Sequence, residues 1–375
     1  MICYFDNNAT TAMDRDLAGL MLSLCTEEYG NPNSIHSMGI RANKMLEEAR
    51  LRVAKVLLAD PREIFFTSSA TESINWILRS CVAFRGKRKK VVTSAIEHKA
   101  VLNTLKDLKN THEIEVVEVK PGRDGVIDSR KMLEMVDEET FLVSLMAVNN
   151  VTGSIQPFEE VGKVLRDRGV LYHVDAVQTI GKYPFAPAEA FCDFASFSAH
   201  KFHGPKGVGI TYVKRGASIR AVVTGGGQEK ALRSGTQNVP GIVVSSMAME
   251  RAVNSMEKTT TKLKGLKERL RLEVEKIGGV VNTAERSVSN TLNVSFPGVK
   301  SEVLANALST DGVYVGISSA CSSRSDSGQY VLDSMGLGAG IASSSLRISM
   351  SKFTTVEELE ILVERLKKSV SLLKF

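Results

Sequence analysis

Residues 141–178 read FLVSLMAVNNVTGSIQPFEEVGKVLRDRGVLYHVDAVQ. Residues 141–148 form an apolar run of the kind that becomes a buried strand. Pro157 then opens a segment with helical spacing, and Gly169 closes it. Proline at the start and glycine at the end is the expected asymmetry of a helix. Residues 170–174 are apolar again and stop at Asp175. Strand, helix, strand is a βαβ unit, and such units join parallel strands.

The same rhythm continues on both sides. Residues 63–67 (EIFFT) read as a short buried strand between Pro61 and a serine pair. Residues 71–84 read as a helix, 91–94 as a strand and 98–110 as a helix. Two more strands fall at 193–198 and 208–213, separated by a Gly/Pro-rich stretch. Upstream, Leu46, Ala49, Val53, Val56 and Leu57 recur at three- and four-residue spacing, so 41–58 is a helix. This alternation predicts an α/β fold with a mostly parallel central sheet covered by helices. Beyond it the pattern changes. Residues 237–249 and 256–277 read as helices, 291–295, 312–317 and 346–349 as strands, and 356–374 as a last helix. That is an α+β pattern, consistent with a second domain.

Composition bounds the function. The chain has 375 residues, 43% hydrophobic and 24% charged. These values are globular and allow a large core without disulfide staples. Lys+Arg exceeds Asp+Glu by 6. The densest basic run, RGKRKK at 85–90, lies between apolar segments and has no aromatic residues for base stacking. It reads as a solvated turn, and no nucleic-acid partner is expected. The start, MICYFDNNATT, lacks the pattern of a signal peptide, and no apolar run approaches the ~18 residues of a membrane span. A membrane partner is therefore not expected. Five cysteines contain no C-x-x-C pair. Cys3, Cys25, Cys81 and Cys192 read as small core residues, and a reducing, cytoplasmic setting is expected.

Three strand ends carry unusual residues. In parallel sheets, ligands bind at such ends. Asp175 stands at the mouth of a buried strand, where an isolated carboxylate is costly. Lys201 and His200 follow the strand in DFASFSAHK. Phe66–Thr67 runs into SSATES, where small residues at a helix N-terminus suit an anion. Pyridoxal 5'-phosphate would use all three, with Lys201 for its Schiff base, Asp175 for its pyridine nitrogen, and Ala70 and Thr71 for its phosphate. His98 could stack on its ring. Each residue has a plainer reading alone: Asp175 as a cap, Lys201 as a solvated surface group, Ser69 and Glu72 as a capping box. His173, His200 and His203 do not match a standard zinc spacing. No G-x-x-x-x-G-K-[ST] and no strand-linked G-x-G-x-x-G is present. Cys321, in the small and polar stretch SSACSSRSDSG, reads as a reactive nucleophile rather than a packed thiol.

With these residues in hand, the chain resembles the NifS/IscS-type cysteine desulfurases of the aminotransferase class V family. The matching stretches are YFDNNATT, YGNPNSIH, FTSSATES, IEHKAVL, NNVTG, HVDAVQ, SFSAHKFHGPKGVG, GGGQEKALRSGTQNVP, NTLNVSF, SSACSS and LRIS. They span nearly the whole chain in the family's order. The resemblance implies fold type I of the pyridoxal phosphate enzymes, with a large α/β domain at 13–254. Residues 1–12 and 255–375 would form a smaller α+β domain carrying Cys321.

It implies roles as well. Lys201 would be the Schiff-base lysine, Asp175 the partner of the pyridine nitrogen and Gln178 the ligand of the ring hydroxyl. His98 would stack on the ring and move protons. Ala70, Thr71, Ser198 and His200 would contact the phosphate, and Thr236 would do so across a homodimer. Asn149 would contact cofactor and substrate, and Arg347 the substrate carboxylate. Cys321 would accept sulfur from L-cysteine, leaving L-alanine and a persulfide for a sulfur-acceptor or iron–sulfur scaffold protein. A selenocysteine lyase or a class V aminotransferase is the alternative. Ser69, Val151, Ala199, Ile317 and Ser318 depart from the family's commonest pattern. Val151 is the largest change, because it stands where a glutamate is usual beside Asn149.

Overall fold

The computed structural model describes residues 2–317 and 328–374. Cys321 lies outside the described residues. The chain enters through β1 (Cys3–Phe5) and two helices, α1 (Arg15–Thr26) and α2 (Ser37–Leu57). The alternating region then supplies β2 (Ile64–Thr67), α3 (Ala70–Ala83), β3 (Lys90–Ser94), α4 (Lys99–His112), β4 (Glu115–Val119), α5 (Ser129–Glu134), β5 (Thr140–Met146), α6 (Phe158–Arg168), β6 (Leu171–Asp175), β7 (Phe194–Ser198) and β8 (Gly209–Val213).

These strands form one seven-stranded sheet in the order β2-β8-β7-β6-β5-β3-β4. The βαβ unit read from residues 141–178 is its centre. β5 and β6 pair in parallel, with Leu142 opposite Leu171 and Met146 opposite Asp175. Both strands are buried throughout or nearly so, as expected of a sheet covered on both faces. α6 ends at Gly169, whose φ of 63° is left-handed and unfavourable for most side chains. Only β8 runs against its neighbours in this sheet. The connection from β7 to β8 holds no crossover helix, and a parallel return needs one.

The remaining chain gives α7 (Val239–Asn254), α8 (Met256–Lys276), β9 (Val280–Val281), β10 (Thr291–Ser295), α9 (Ser301–Thr310), β11 (Val313–Ile317), α10 (Gln329–Ser334), α11 (Ala339–Ala342), β12 (Ser345–Ser349) and α12 (Val356–Leu373). A second sheet, β1-β11-β12-β10-β9, joins the two ends of the chain. β1 pairs in parallel with β11, Phe5 opposite Val315. Its core is a separate apolar cluster that includes Phe5, Leu270, Phe296, Leu346 and Leu362.

Several elements escaped the sequence reading. β4 (EVVEV) is a half-exposed edge strand, and its flanking glutamates break any continuous apolar run. β1 and β9 are too short to show a period. α1 buries only Leu17 and Leu24, so its periodic signal is thin. The cysteine reading needs one correction. Cys3, Cys81 and Cys192 are buried, but Cys25 is exposed, because it falls on the outer face of α1.

Candidate active site

A cavity of about 550 Å³ opens at the carboxyl ends of the parallel strands. β6 brings Asp175 to its floor. The turn after β7 brings Ser198, His200 and Lys201. α3 presents Ala70 and Thr71 at its N-terminus, and α4 begins at His98. β12 contributes Arg347 from the second sheet, and Gln178 follows β6. The cavity thus gathers nine of the residues singled out in the sequence.

The local structure explains each placement. The β2–α3 turn is tight because β8 crosses it closely. A Cβ on Gly209 would overlap Thr67 Oγ1 and the Ser69 backbone. Ser69 caps α3, accepting a hydrogen bond from Glu72 N at 3.2 Å. The first-turn N–H groups of the helix then lie at the cavity wall, a favourable setting for an anion. His98 caps α4, its Nδ1 accepting from Ala100 N at 3.1 Å. A neutral imidazole so bonded carries its proton on Nε2. His200 contacts Thr10 Oγ1 through Nδ1 at 3.1 Å. Burial, with help from nearby lysines, lowers it to about 4. It is therefore neutral at physiological pH.

Asp175 is 4% exposed, and its Oδ1 accepts from Val177 N at 3.0 Å. Burial raises its carboxyl, while the charges of His98 and Lys201 pull it down. Lys201 Nζ donates to the carbonyls of Asn8 at 2.6 Å and Ala9 at 2.8 Å. Arg347 Nη2 donates to Asp6 Oδ1 at 2.6 Å, and Nη1 to Asn150 O at 3.3 Å.

Two predicted residues stand elsewhere. Asn149 does not line the cavity. Its Nδ2 donates to Ile96 O at 3.0 Å, and its Oδ1 accepts from Val151 N at 2.9 Å and Thr152 N at 3.0 Å. The side chain is spent on its own turn and on the segment before His98, which corrects the expectation that it contacts cofactor and substrate. The neighbouring Asn150 lines the cavity instead. The same turn settles Val151. Its side chain is buried against Gly328, and the backbone bond to Asn149 does not need a glutamate there. Thr236 lines a separate cleft of about 110 Å³ behind Ser68 and is exposed. Cys321 lies outside the described residues.

Sequence reasoning gave no role to Asp6 or Asn8, although both sit in the quoted YFDNNATT. Asn8 O accepts from Lys201 and, at 3.1 Å, from Gln178 Nε2. The order of that motif was the available signal, but its contacts reach across the whole chain.

Glu97, beside His98, is fully buried. Its Oε1 accepts from Ser94 Oγ at 2.6 Å and Met146 N at 2.8 Å, while Oε2 is buried without a partner among the described residues. Burial raises its carboxyl to about 8 from an ordinary 4.5. The folded state therefore holds a proton that the unfolded chain releases. The resulting stabilisation is complete below about pH 4.5 and is lost as pH rises through about 8. Glu97→Gln should flatten the stability profile over that window. Urea unfolding of both proteins from pH 5 upward checks this; a difference that does not change with pH would refute it.

The residues present fit pyridoxal 5'-phosphate. The set pairs a buried carboxylate with a lysine, an imidazole and a helix N-terminus on one cavity. His173 belongs to the packing behind Asp175, its ring nitrogens contacting Ser144 Oγ at 2.8 Å and Ser196 Oγ at 3.0 Å. Among the described residues, no group of three His, Cys, Asp or Glu could hold a metal ion.

The comparisons with known proteins agree with this geometry. Residues 3–362 match the model of the aminotransferase class-V family. The chain belongs to that family. Within it the chain is 40% identical to the cysteine desulfurase IscS of Salmonella paratyphi B, over 99% of this chain and 93% of the relative. It is 42% identical to the cysteine desulfurase IscS of Anaeromyxobacter sp. (strain K), over 95% and 89%. A solved NifS-like protein superposes with a TM-score of 0.95 at 46% identity, covering both chains fully. SspA in complex with cysteine superposes at 0.82 with 29% identity, over 94% of this chain and all of the other. This class V chain is thus a NifS/IscS-type, pyridoxal phosphate-dependent enzyme of fold type I.

Proposed function

We propose that the protein removes sulfur from L-cysteine, giving L-alanine and a persulfide on Cys321 that feeds iron–sulfur cluster assembly or another sulfur acceptor. The observation that carries this reading is the meeting of Asp175, Lys201 and Arg347 on one cavity, in a chain whose relatives bear the cysteine desulfurase name.

The geometry supports a role for each residue. Ala70 and Thr71 at the α3 N-terminus, with Ser198 and His200, would hold the phosphate. Asp175 would face the ring nitrogen, His98 the ring, Gln178 the ring oxygen, and Lys201 would attach the aldehyde. The bound cofactor supplies a sink for the electron pair left on the substrate's Cα. Arg347 holds the substrate carboxylate. Its fork is kept in place by Asp6 and Asn150 O, and a planar guanidinium matches a carboxylate. Lys201 Nζ would take the Cα proton, and His98 is placed to move one. The Cys321 thiolate attacks the substrate sulfur. The Cβ–S bond breaks, its electron pair stays with the three-carbon fragment, and the protonated fragment leaves as alanine. The role of Cys321 rests on the SSACSS resemblance.

The active unit in this reading is a homodimer. Exposed Thr236, outside the cavity of its own chain, suits a phosphate contact in the other copy. Arg233 Nε donates to Glu72 Oε1 at 2.7 Å and so ties the RSGT segment to the α3 turn. Residues 13–254 are read as the cofactor-binding domain and 1–12 with 255–375 as the smaller one. The separate apolar cluster under the second sheet supports that division. No described helix is long and apolar enough to cross a membrane. A cytoplasmic setting is consistent with that.

The test is product formation from L-cysteine with a reductant present. The native protein should release alanine and sulfide in equal amounts. Cys321→Ala should lose both while its visible spectrum still changes on adding L-cysteine. Undiminished sulfide release by Cys321→Ala would overturn the persulfide route.

A further inference from the structure

Lys182 lies behind the cavity wall, outside every role assigned above. Its ammonium donates to Gln178 Oε1. With Lys201 it also lines a second, small cavity of about 40 Å³. Gln178 reaches from this hidden side to the main cavity, which it lines as well. The two ends of its amide are therefore distinguishable. An ammonium has only donors, so the amide end beside Lys182 must be the oxygen. The carbonyl of Asn8 is only an acceptor, so the end beside it must be the nitrogen, at 3.1 Å. One N–H of that nitrogen goes to Asn8, and the other remains for the main cavity. The same Asn8 carbonyl takes Lys201 Nζ at 2.6 Å. A continuous chain thus runs Lys182, Gln178, Asn8 O, Lys201.

We infer that Lys182 is a positioning residue: by holding the amide oxygen of Gln178, it keeps a donor turned toward the ring oxygen of the bound cofactor. This rests on the pyridoxal phosphate reading of the cavity. A donor there stabilises the ring oxygen as an anion and weakens proton binding by the lysine-attached cofactor. Without the ammonium, the buried Gln178 Oε1 loses the donor that holds it, and the side chain can swing its N–H away from the ring oxygen, which strengthens proton binding. The charged groups around Lys182 are Lys201 and Arg347, and the neutral imidazoles of His200 and His203 also face it. Beyond His203 stand Lys352 and Asp14, which pair at 2.7 Å. Burial and the two cations Lys201 and Arg347 lower Lys182 to about 7. Its bond to Gln178 offsets part of that cost while it stays protonated.

The experiment is a pH titration of the visible absorption of the cofactor-loaded, substrate-free protein. The midpoint should rise by about one pH unit, a tenfold change in proton affinity, in Lys182→Met. Lys182→Arg keeps a donor and should titrate like the native protein. In a Gln178→Ala background, Lys182→Met should leave the midpoint where Gln178→Ala alone puts it. That arm separates positioning from bare charge, because a purely electrostatic effect would persist without Gln178. An unchanged midpoint in Lys182→Met, or the same rise in both backgrounds, overturns the inference. Should Lys182→Met prove insoluble, Lys182→Leu, which likewise offers no donor, is titrated with the same rise expected. A native protein that takes up no cofactor and shows no visible band would instead overturn the underlying reading of the cavity.

Discussion

Lys201→Ala is expected to lose the visible absorption of the cofactor-loaded protein and to make alanine at least ~10²–10⁴ times more slowly than the native enzyme. That range is what a positioned general base ordinarily supplies, before the lost attachment of the cofactor is counted. Lys201 sits in a single 3-10 turn directly after β7, so the backbone aims it. Its amine rests on the carbonyls of Asn8 and Ala9, and neither bond is needed to hold the sheet. The fold should therefore survive, with an unchanged far-ultraviolet spectrum and a similar unfolding midpoint. Addition of a small alkylamine should restore part of the activity, since the missing group is a primary amine beside an open cavity. A Lys201→Ala protein that kept native turnover would remove the base from this account.

Removing Glu229 should cost stability on the order of 3–5 kcal/mol. The Glu229 side chain is 1% exposed and Arg50 5%. The two form a bidentate pair, Oε1 to Nη2 and Oε2 to Nη1, both 2.9 Å. Phe66 N also donates to Glu229 Oε2 at 2.9 Å, and Arg50 Nη1 to Ile64 O at 2.7 Å. The pair thus clamps β2, the strand that leads into the phosphate cradle. Burial alone would make the guanidinium less willing to hold its charge; the bonds and charges of Glu229 and, less so, Glu47 together more than reverse this. Glu229→Ala leaves that charge in the core with only the half-exposed Glu47, 3.2 Å from Nε, and takes the carboxylate away from both of its buried Nη atoms, which is close to the costly case of a broken buried pair. Glu229, Lys230 and Ala231 have φ of 46°, 60° and 61°. Three successive left-handed residues with side chains need such an anchor. The double variant Arg50→Met/Glu229→Leu should be less destabilised than Glu229→Ala, because no unpaired charge remains. Urea unfolding of the three proteins measures both differences. A loss below ~1 kcal/mol for Glu229→Ala would mean water reaches Arg50 freely.

The parallel core was legible because its strands are buried on both faces. Continuous apolar runs such as 141–148 state this directly. The reversal of β8 was not legible, since it depends on the missing crossover helix and not on the composition of β8. The site was legible where chemistry is unusual for its position. Asp175 and Lys201 at strand mouths stand out in any chain. Asp6 and Asn8 did not, because a polar residue near an N-terminus is ordinary until β1 pairs with β11 and carries it across the molecule.

Asn149 and Asn150 mark the boundary most sharply. Two identical residues in NNVTG have the same chemistry, and nothing in their order says which one folds back on the turn. Hydrogen bonds to Ile96 O and the Val151 and Thr152 amides make that choice. By itself the sequence determined the alternation of strands and helices and the kinds of groups gathered at the strand ends, because burial and local spacing write these into the residues. Only the tertiary structure decided which amide faces the cavity and which segment crosses behind Lys201. It also decided that Lys182 backs Gln178. These depend on bonds between residues distant in the chain or on the path of a turn, where local pattern carries no information.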